Sequence, residues 1–184
     1  LLFLSLFLSS HLFAQNEVIY LWSGGITPYS ACVNAKLTYP STTVRLVVAT
    51  TPIFTAPLFS NFFTVDTNTN MMVAMNISGL QPGTQYYYAV ESNNIFDSSP
   101  DDIGTFTTPE AGPFSYSFVL GSCCNNSNHG VYDAMGYQDP LFYINMGDLH
   151  YGNPNSGTDI NVHRLCYEQL VLSKPRAAKF LKKT

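Results

Sequence analysis

From Glu17 to about Thr108 the chain is a succession of short segments rich in Val, Thr, Tyr and Phe, separated by Gly, Pro and Asn. EVIYLW, SACVNAKLTY, TVRLVVAT, SNFFTV, MMVAMNI, TQYYYAVES and GTFTT each suit a strand, because β-branched and aromatic side chains pack well on a pleated surface. Their spacing predicts an all-β sandwich. In the second segment Ala31, Val33, Ala35 and Leu37 alternate with Cys32, Asn34 and Lys36. This defines one buried face and points Cys32 away from it, unless the register slips by one residue.

The stretch GLQPGTQYYYAV is the most specific part of this half. Leu80, Pro82, Thr84, Tyr86, Tyr88 and Val90 alternate, and Pro82-Gly83 makes the turn that leads into the strand. This resembles the fibronectin type III pattern, in which a tyrosine near the start of a late strand caps a corner of the sandwich. Tyr86 is the candidate for that role. The alternative, an exposed aromatic patch over Tyr86 to Tyr88, is opposed by the alternation, which buries at least one of the three.

The segment LLFLSLFLSSHLFAQNE has the apolar core and short-side-chain cleavage position of a secretory signal. Residues 1–15 are expected to be that signal, with the sequence beginning inside it, and the mature protein is expected to be secreted. A buried first helix is the other reading. The apolar run is too short to span a bilayer, so no membrane span is expected. Asn76-Ile77-Ser78 and Asn125-Asn126-Ser127 would then be glycosylation sequons in a eukaryotic secretory protein. With 46% apolar residues the chain has ample material for a core. Six of its eight basic residues, Arg164, Lys174, Arg176, Lys179, Lys182 and Lys183, fall in the last 21 positions, and the net charge is -4. Nothing before them forms a phosphate-backbone footprint, which argues against nucleic-acid binding.

The Pro and Gly content of TTPEAGPF marks an inter-domain linker, placed at 109–113 between a sandwich over 16–108 and a second unit over 114–184. FSYSFVLGS and PLFYINMG are then continuous apolar runs, separated by the polar loop CCNNSNHG and a predicted short helix from Val131 to Tyr137. Two such runs with a crossover predict parallel strands of an α/β layer. Leu165, Leu170, Val171 and Leu172 recur near helical spacing between Asn161 and Leu181, and Pro175 interrupts them, predicting two short helices or one kinked helix.

Both apolar runs end in polar chemistry, Gly121-Ser122-Cys123 and Gly147-Asp148-Leu149-His150-Tyr151. That is where α/β sheets place ligands. A carboxylate leaving a buried strand is costly unless cations or donors satisfy it. Asp148 has two oxygens and can bridge two metal ions about 3.5–4 Å apart. Tyr151, three residues on, can offer a phenolate, a hard donor that favours a trivalent metal such as Fe(III). Cys123 can supply a thiolate from the neighbouring strand end. Against these stand Asp148 as a turn-former, Tyr151 as ordinary half-buried packing, and a disulfide from Cys123 or Cys124 to Cys166. Adjacent cysteines point different ways, so Cys124 can serve structure while Cys123 faces the site.

A β domain, a Pro-containing linker, a strand into GSC and a strand into GDxxY together resemble the alkaline phosphatase D family, the PhoD-like metallophosphatases. DPLFYINMGDLHYGN and HRLCYEQLVLSKPRAAKFLKK agree further with that family's pattern. The fold implied is mixed: a fibronectin III-like sandwich followed by the start of an α/β metallophosphoesterase layered domain. The resemblance implies a dinuclear centre of Fe(III) with calcium or another divalent metal, and phosphate mono- or diesters attacked by a metal-bound hydroxide. Carried over by position, Cys123 and Tyr151 would hold the iron and Asp148 would bridge. His150 would bind substrate phosphate or support the ligands. Purple acid phosphatases share the β domain and GDxxY but place an aspartate where Ser122-Cys123 stands here, and they are the alternative enzyme reading. A non-catalytic secreted β-sandwich module is the alternative outside enzymes. The family's later Asn, Asp and His motifs do not occur before Thr184, and His129 and His163 are expected to be loop or helix-surface residues. The chain is therefore expected to be the N-terminal part of a larger enzyme, inactive alone and poorly folded after residue 113.

Overall fold

The computed structural model describes residues 17–96, 102–124, 128–152 and 159–184. The expected signal at 1–15 and the sequon at 125–127 lie outside them. Strands β1 (Val18–Gly24), β2 (Ser30–Leu37), β3 (Thr43–Ala49), β4 (Leu58–Phe59), β5 (Phe63–Thr64), β6 (Met72–Ser78), β7 (Gln85–Ser92), β8 (Ile95–Phe96) and β9 (Gly104–Thr107) build two antiparallel sheets. One has the order β1-β2-β6. In the other, β3 and β7 are central, with β4 and β5 on β3 and with β8 and β9 on β7. The two-residue strands β4 and β8 escape a reading by alternation, because two residues show no period.

Alternation decides what the sheets bury. Val33, Ala35, Leu37, Met75 and Ile77 of one sheet face Val44, Leu46, Val48, Tyr88 and Val90 of the other in a single core. Cys32 lies between the buried Ala31 and Val33 and stays partly exposed, as the register without a slip requires. The Tyr86 hydroxyl accepts from the Gln81 backbone N–H at 2.9 Å, five residues upstream. This is the corner role expected of it. Tyr86 and Tyr88 are buried, and Tyr87 packs on the other side of its sheet against a smaller apolar cluster with Val47 and Phe54.

After residue 113, β10 (Val119–Gly121) and β11 (Tyr143–Asn145) pair in parallel, Val119 with Tyr143 through Gly121 with Asn145. Between them runs α1 (Val131–Gly136). The strand-like run from Phe114 reaches ladder geometry only at Val119, since β10 has one neighbour to pair with. One face of this small sheet carries Val119 and Tyr143 against Tyr132 of α1, Val171 and Phe180. Among the described residues the other face is largely open: Phe118, Leu120, Ile144 and Met146 are 45%, 49%, 42% and 61% exposed.

The last segment forms α2 (Ile160–Tyr167), a π-helical turn over Glu168–Leu172, and α3 (Pro175–Leu181). Asp159 caps α2 by accepting from Asn161 N–H. Lys174 is extended and Pro175 opens α3, because a residue before proline avoids the α region while proline suits a first helical position. The chain end docks on the sandwich. The Lys182 carbonyl accepts from Tyr88 Oη at 3.0 Å and Thr105 N at 2.9 Å, and the Thr184 carbonyl accepts from Ser23 Oγ at 3.0 Å. Lys36 of β2 pairs with Glu168 of the π-helical turn.

Candidate functional site

The ladder of β10 and β11 continues past the strand ends as paired loops. Met146 N donates to the Gly121 carbonyl, Cys123 N to Gly147 at 3.3 Å, and Cys124 N to Asp148 at 2.8 Å. This fixes the two polar tips side by side. Asn145 Oδ1 accepts from Gly147 N at 2.9 Å and shapes the turn into Asp148, a role the Asn-x-Gly spacing could have announced. Cys123 and Asp148 both adopt left-handed backbone, φ 55° and 50°. Such conformations cost free energy in non-glycine residues, and eight further described non-glycine residues share them, Phe54, Asn70 and Asp139 among them.

The consequence is a convergence on one oxygen. Tyr151 Oη donates to Asp148 Oδ2 at 3.2 Å, and Cys123 Sγ lies 3.8 Å from the same oxygen. All three side chains are exposed. The hydrogen bond with Cys123, then partial burial, then the hydrogen bond and charge of Asp148 push the Tyr151 phenol up to about 12. A folded-state value above the usual ~10 means this interaction contributes stability fully below that pH and loses it between about 10 and 12. In Cys123→Ala and Asp148→Asn variants Tyr151 is expected to ionise at lower pH. The phenolate absorbance of each variant, read against Tyr151→Phe, measures this.

His150, two residues after Asp148, has different partners. Its Nδ1 accepts from Gly152 N at 3.2 Å, and its ring meets Tyr167. The sequence carries no signal that Tyr167 would be its neighbour. His129 Nδ1 accepts from Val131 N at the start of α1, and His163 is a partly buried residue of α2. All four cysteines are free thiols. The alternative disulfide to Cys166 is not formed; Cys124 Sγ instead hydrogen-bonds Tyr132 Oη at 2.6 Å, which separates a structural Cys124 from Cys123 at the site.

Among the described residues no three His, Cys, Asp or Glu side chains gather to hold a metal ion. The donor set is one thiol, one carboxylate and one phenol. When deprotonated it brings three negative charges to one point, which suits a trivalent ion; the carboxylate and phenolate are hard donors and the thiolate is a soft one. An ion takes about four to eight donors, so a dinuclear centre needs groups beyond these three. Among the described residues no helix is long and apolar enough to cross a membrane.

The chain matches no protein-family model, and no curated protein is significantly similar to it. Among solved structures it is similar to PhoD, with a TM-score of 0.75 and 17% identity over 90% of this chain and 38% of that chain. It is also similar, with a TM-score of 0.43 and 22% identity, to the sensor domain of the anti-sigma factor RsgI4 of Pseudobacteroides cellulosolvens, over 56% of this chain and 99% of that one. The central fibronectin-III array of RIM-binding protein gives 0.41 and 15%, over 59% of this chain and 36% of that one. The chain thus spans well under half of the PhoD chain, and it shares the fold of the part it matches.

Proposed function

We propose that this chain carries part of the metal-binding site of a secreted phosphoesterase acting on phosphate mono- or diesters. The observation that carries the reading is the convergence of Cys123 and Tyr151 on Asp148 Oδ2 at the carboxyl ends of two parallel strands. Two of the three donors are delivered by left-handed backbone.

In this reading Cys123 and Tyr151 would hold Fe(III), and Asp148 would be the carboxylate shared with calcium or another divalent ion. When bound, the metal pair lowers the pKa of a water molecule and stabilises charge developing on phosphorus. The protein's share is to fix the donors, to release the Tyr151 Oη proton when metal enters, and to offer His150 to a phosphoryl oxygen. A dinuclear centre would need ligands beyond these three. The exposed apolar face of β10 and β11 fits a site that is completed by other groups, because parallel sheets are covered on both faces. The exposure of Cys123, Asp148 and Tyr151 favours a second reading, a non-catalytic β-sandwich module with a residual polar loop.

The test is hydrolysis of an aryl phosphate and a bis-aryl phosphodiester by the protein expressed from its full reading frame. Activity lost to a chelator and restored by iron with a divalent metal is the expected result. A folded protein without turnover at any metal loading would leave the module reading.

A further inference from the structure

The histidine beside the proposed centre is held by a segment that the sandwich anchors. The Gly152 N–H can only donate, so His150 Nδ1 is the acceptor and the neutral ring carries its proton on Nε2. The ring meets Tyr167 edge to face, with centroids 4.6 Å apart and planes at 85°. Tyr167 ends α2, and Glu168 begins the π-helical turn. Such turns inside helices frequently mark functional positions. Glu168 Oε1 accepts from Lys36 Nζ and, at 2.8 Å, from Asn70 Nδ2, both residues of the sandwich. Lys36 is 7% exposed, so this is an anchored contact and not a loose surface pair. Cys166, one residue before Tyr167, lies so close to Gly152 that a side-chain carbon there would meet its sulfur. Two successive residues at the end of α2 thus grip the turn that carries His150.

We propose that Tyr167 is a positioning residue: anchored through Glu168 to Lys36 and Asn70, it orients His150 to present Nε2–H to an oxyanion of the substrate. The β-sandwich is then a working part of the site, holding its histidine from the far side of α2. The proposal rests on the phosphoesterase reading for the identity of the anion. The geometry it invokes needs no metal.

Nitrogen–proton correlation spectra of the ¹⁵N-labelled full chain test it, with His150→Gln identifying the resonance. One neutral histidine in the Nε2–H form is expected, its ring protons displaced by the Tyr167 ring. Tyr167→Phe keeps the ring and Glu168→Gln keeps an oxygen acceptor, so both retain these signals. Tyr167→Ala and Glu168→Ala lose the displacement and average the tautomers, while core amide signals of the sandwich stay in place. In the metal-loaded enzyme Tyr167→Ala is expected to raise KM about tenfold, the effect of losing a residue that orients a site group, with the visible phenolate-to-iron band unchanged. His150 signals or a KM identical in Tyr167→Ala and wild type overturn the proposal while that band persists. Absence of the band from the wild-type protein takes away the phosphoesterase reading, and the phosphate role of His150 with it.

Discussion

If the proposed phosphoesterase reading holds, replacing Asp148 with Asn is expected to lower metal-dependent hydrolysis by more than about 100-fold, the upper end of what loss of an outer supporting group costs a metal centre. The substitution is a clean one. Asp148 sits at φ 50°, and Asn is among the few residues that tolerate that conformation, so the backbone needs no rearrangement. What disappears is the charge and one of two oxygens. Tyr151 Oη and Cys123 Sγ both address Oδ2, so an amide leaves them without a shared anionic acceptor and leaves a bridging position with one oxygen. Because Asp148 is exposed and outside every apolar cluster, thermal unfolding should stay within about 0.5 kcal/mol of wild type, as for an ordinary surface substitution. Activity and metal content measured on one preparation separate the two effects. Retained activity would remove Asp148 from the site.

Tyr88→Ala is expected to cost about 3–5 kcal/mol, the range for truncating a large buried aromatic. Tyr88 is fully buried between the two sheets and packs on Phe106 with ring centroids 5.7 Å apart. Gly104, its partner across the β7–β9 ladder, has no side chain because the Tyr88 ring occupies that space. Removing the ring therefore leaves a cavity that glycine cannot fill. The hydroxyl also donates to the Lys182 carbonyl, so the same change loosens α3 from the sandwich. Tyr88→Phe separates the two contributions. Lys182 keeps its bond from Thr105 N, and the loss should be only about 1 kcal/mol. Urea denaturation of the two variants reads both values, and a near-neutral Tyr88→Ala would contradict the packing described.

The sandwich was legible because its information is local. Alternation at Ala31 to Leu37 and the spacing of Pro82, Gly83 and Tyr86 specify faces and a corner that the structure shows. Cys123, Asp148 and Tyr151 could be singled out because they cap two apolar runs, and the structure brings their side chains together. What sequence alone did not carry is contact at long range. Tyr167 reaches His150, and Glu168 reaches Lys36 and Asn70, across sequence separations that no periodicity encodes. The boundary at Pro175 was legible and the π-helical turn before it was not, since proline acts on its neighbours while a π turn answers to packing. The strand run from Phe114 was overextended for a related reason: composition suits a strand there, but ladder geometry needs a partner.

The central claim is that Cys123, Asp148 and Tyr151 hold one metal ion together. It is tested most directly by adding iron(II) to the purified protein without oxygen, oxidising it in place, and recording the visible spectrum of wild type and Tyr151→Phe. A phenolate-to-iron charge-transfer band that saturates in the wild type and is absent from Tyr151→Phe is the result expected. A band of equal strength in both proteins, or none in a folded wild type under excess iron, would contradict the claim.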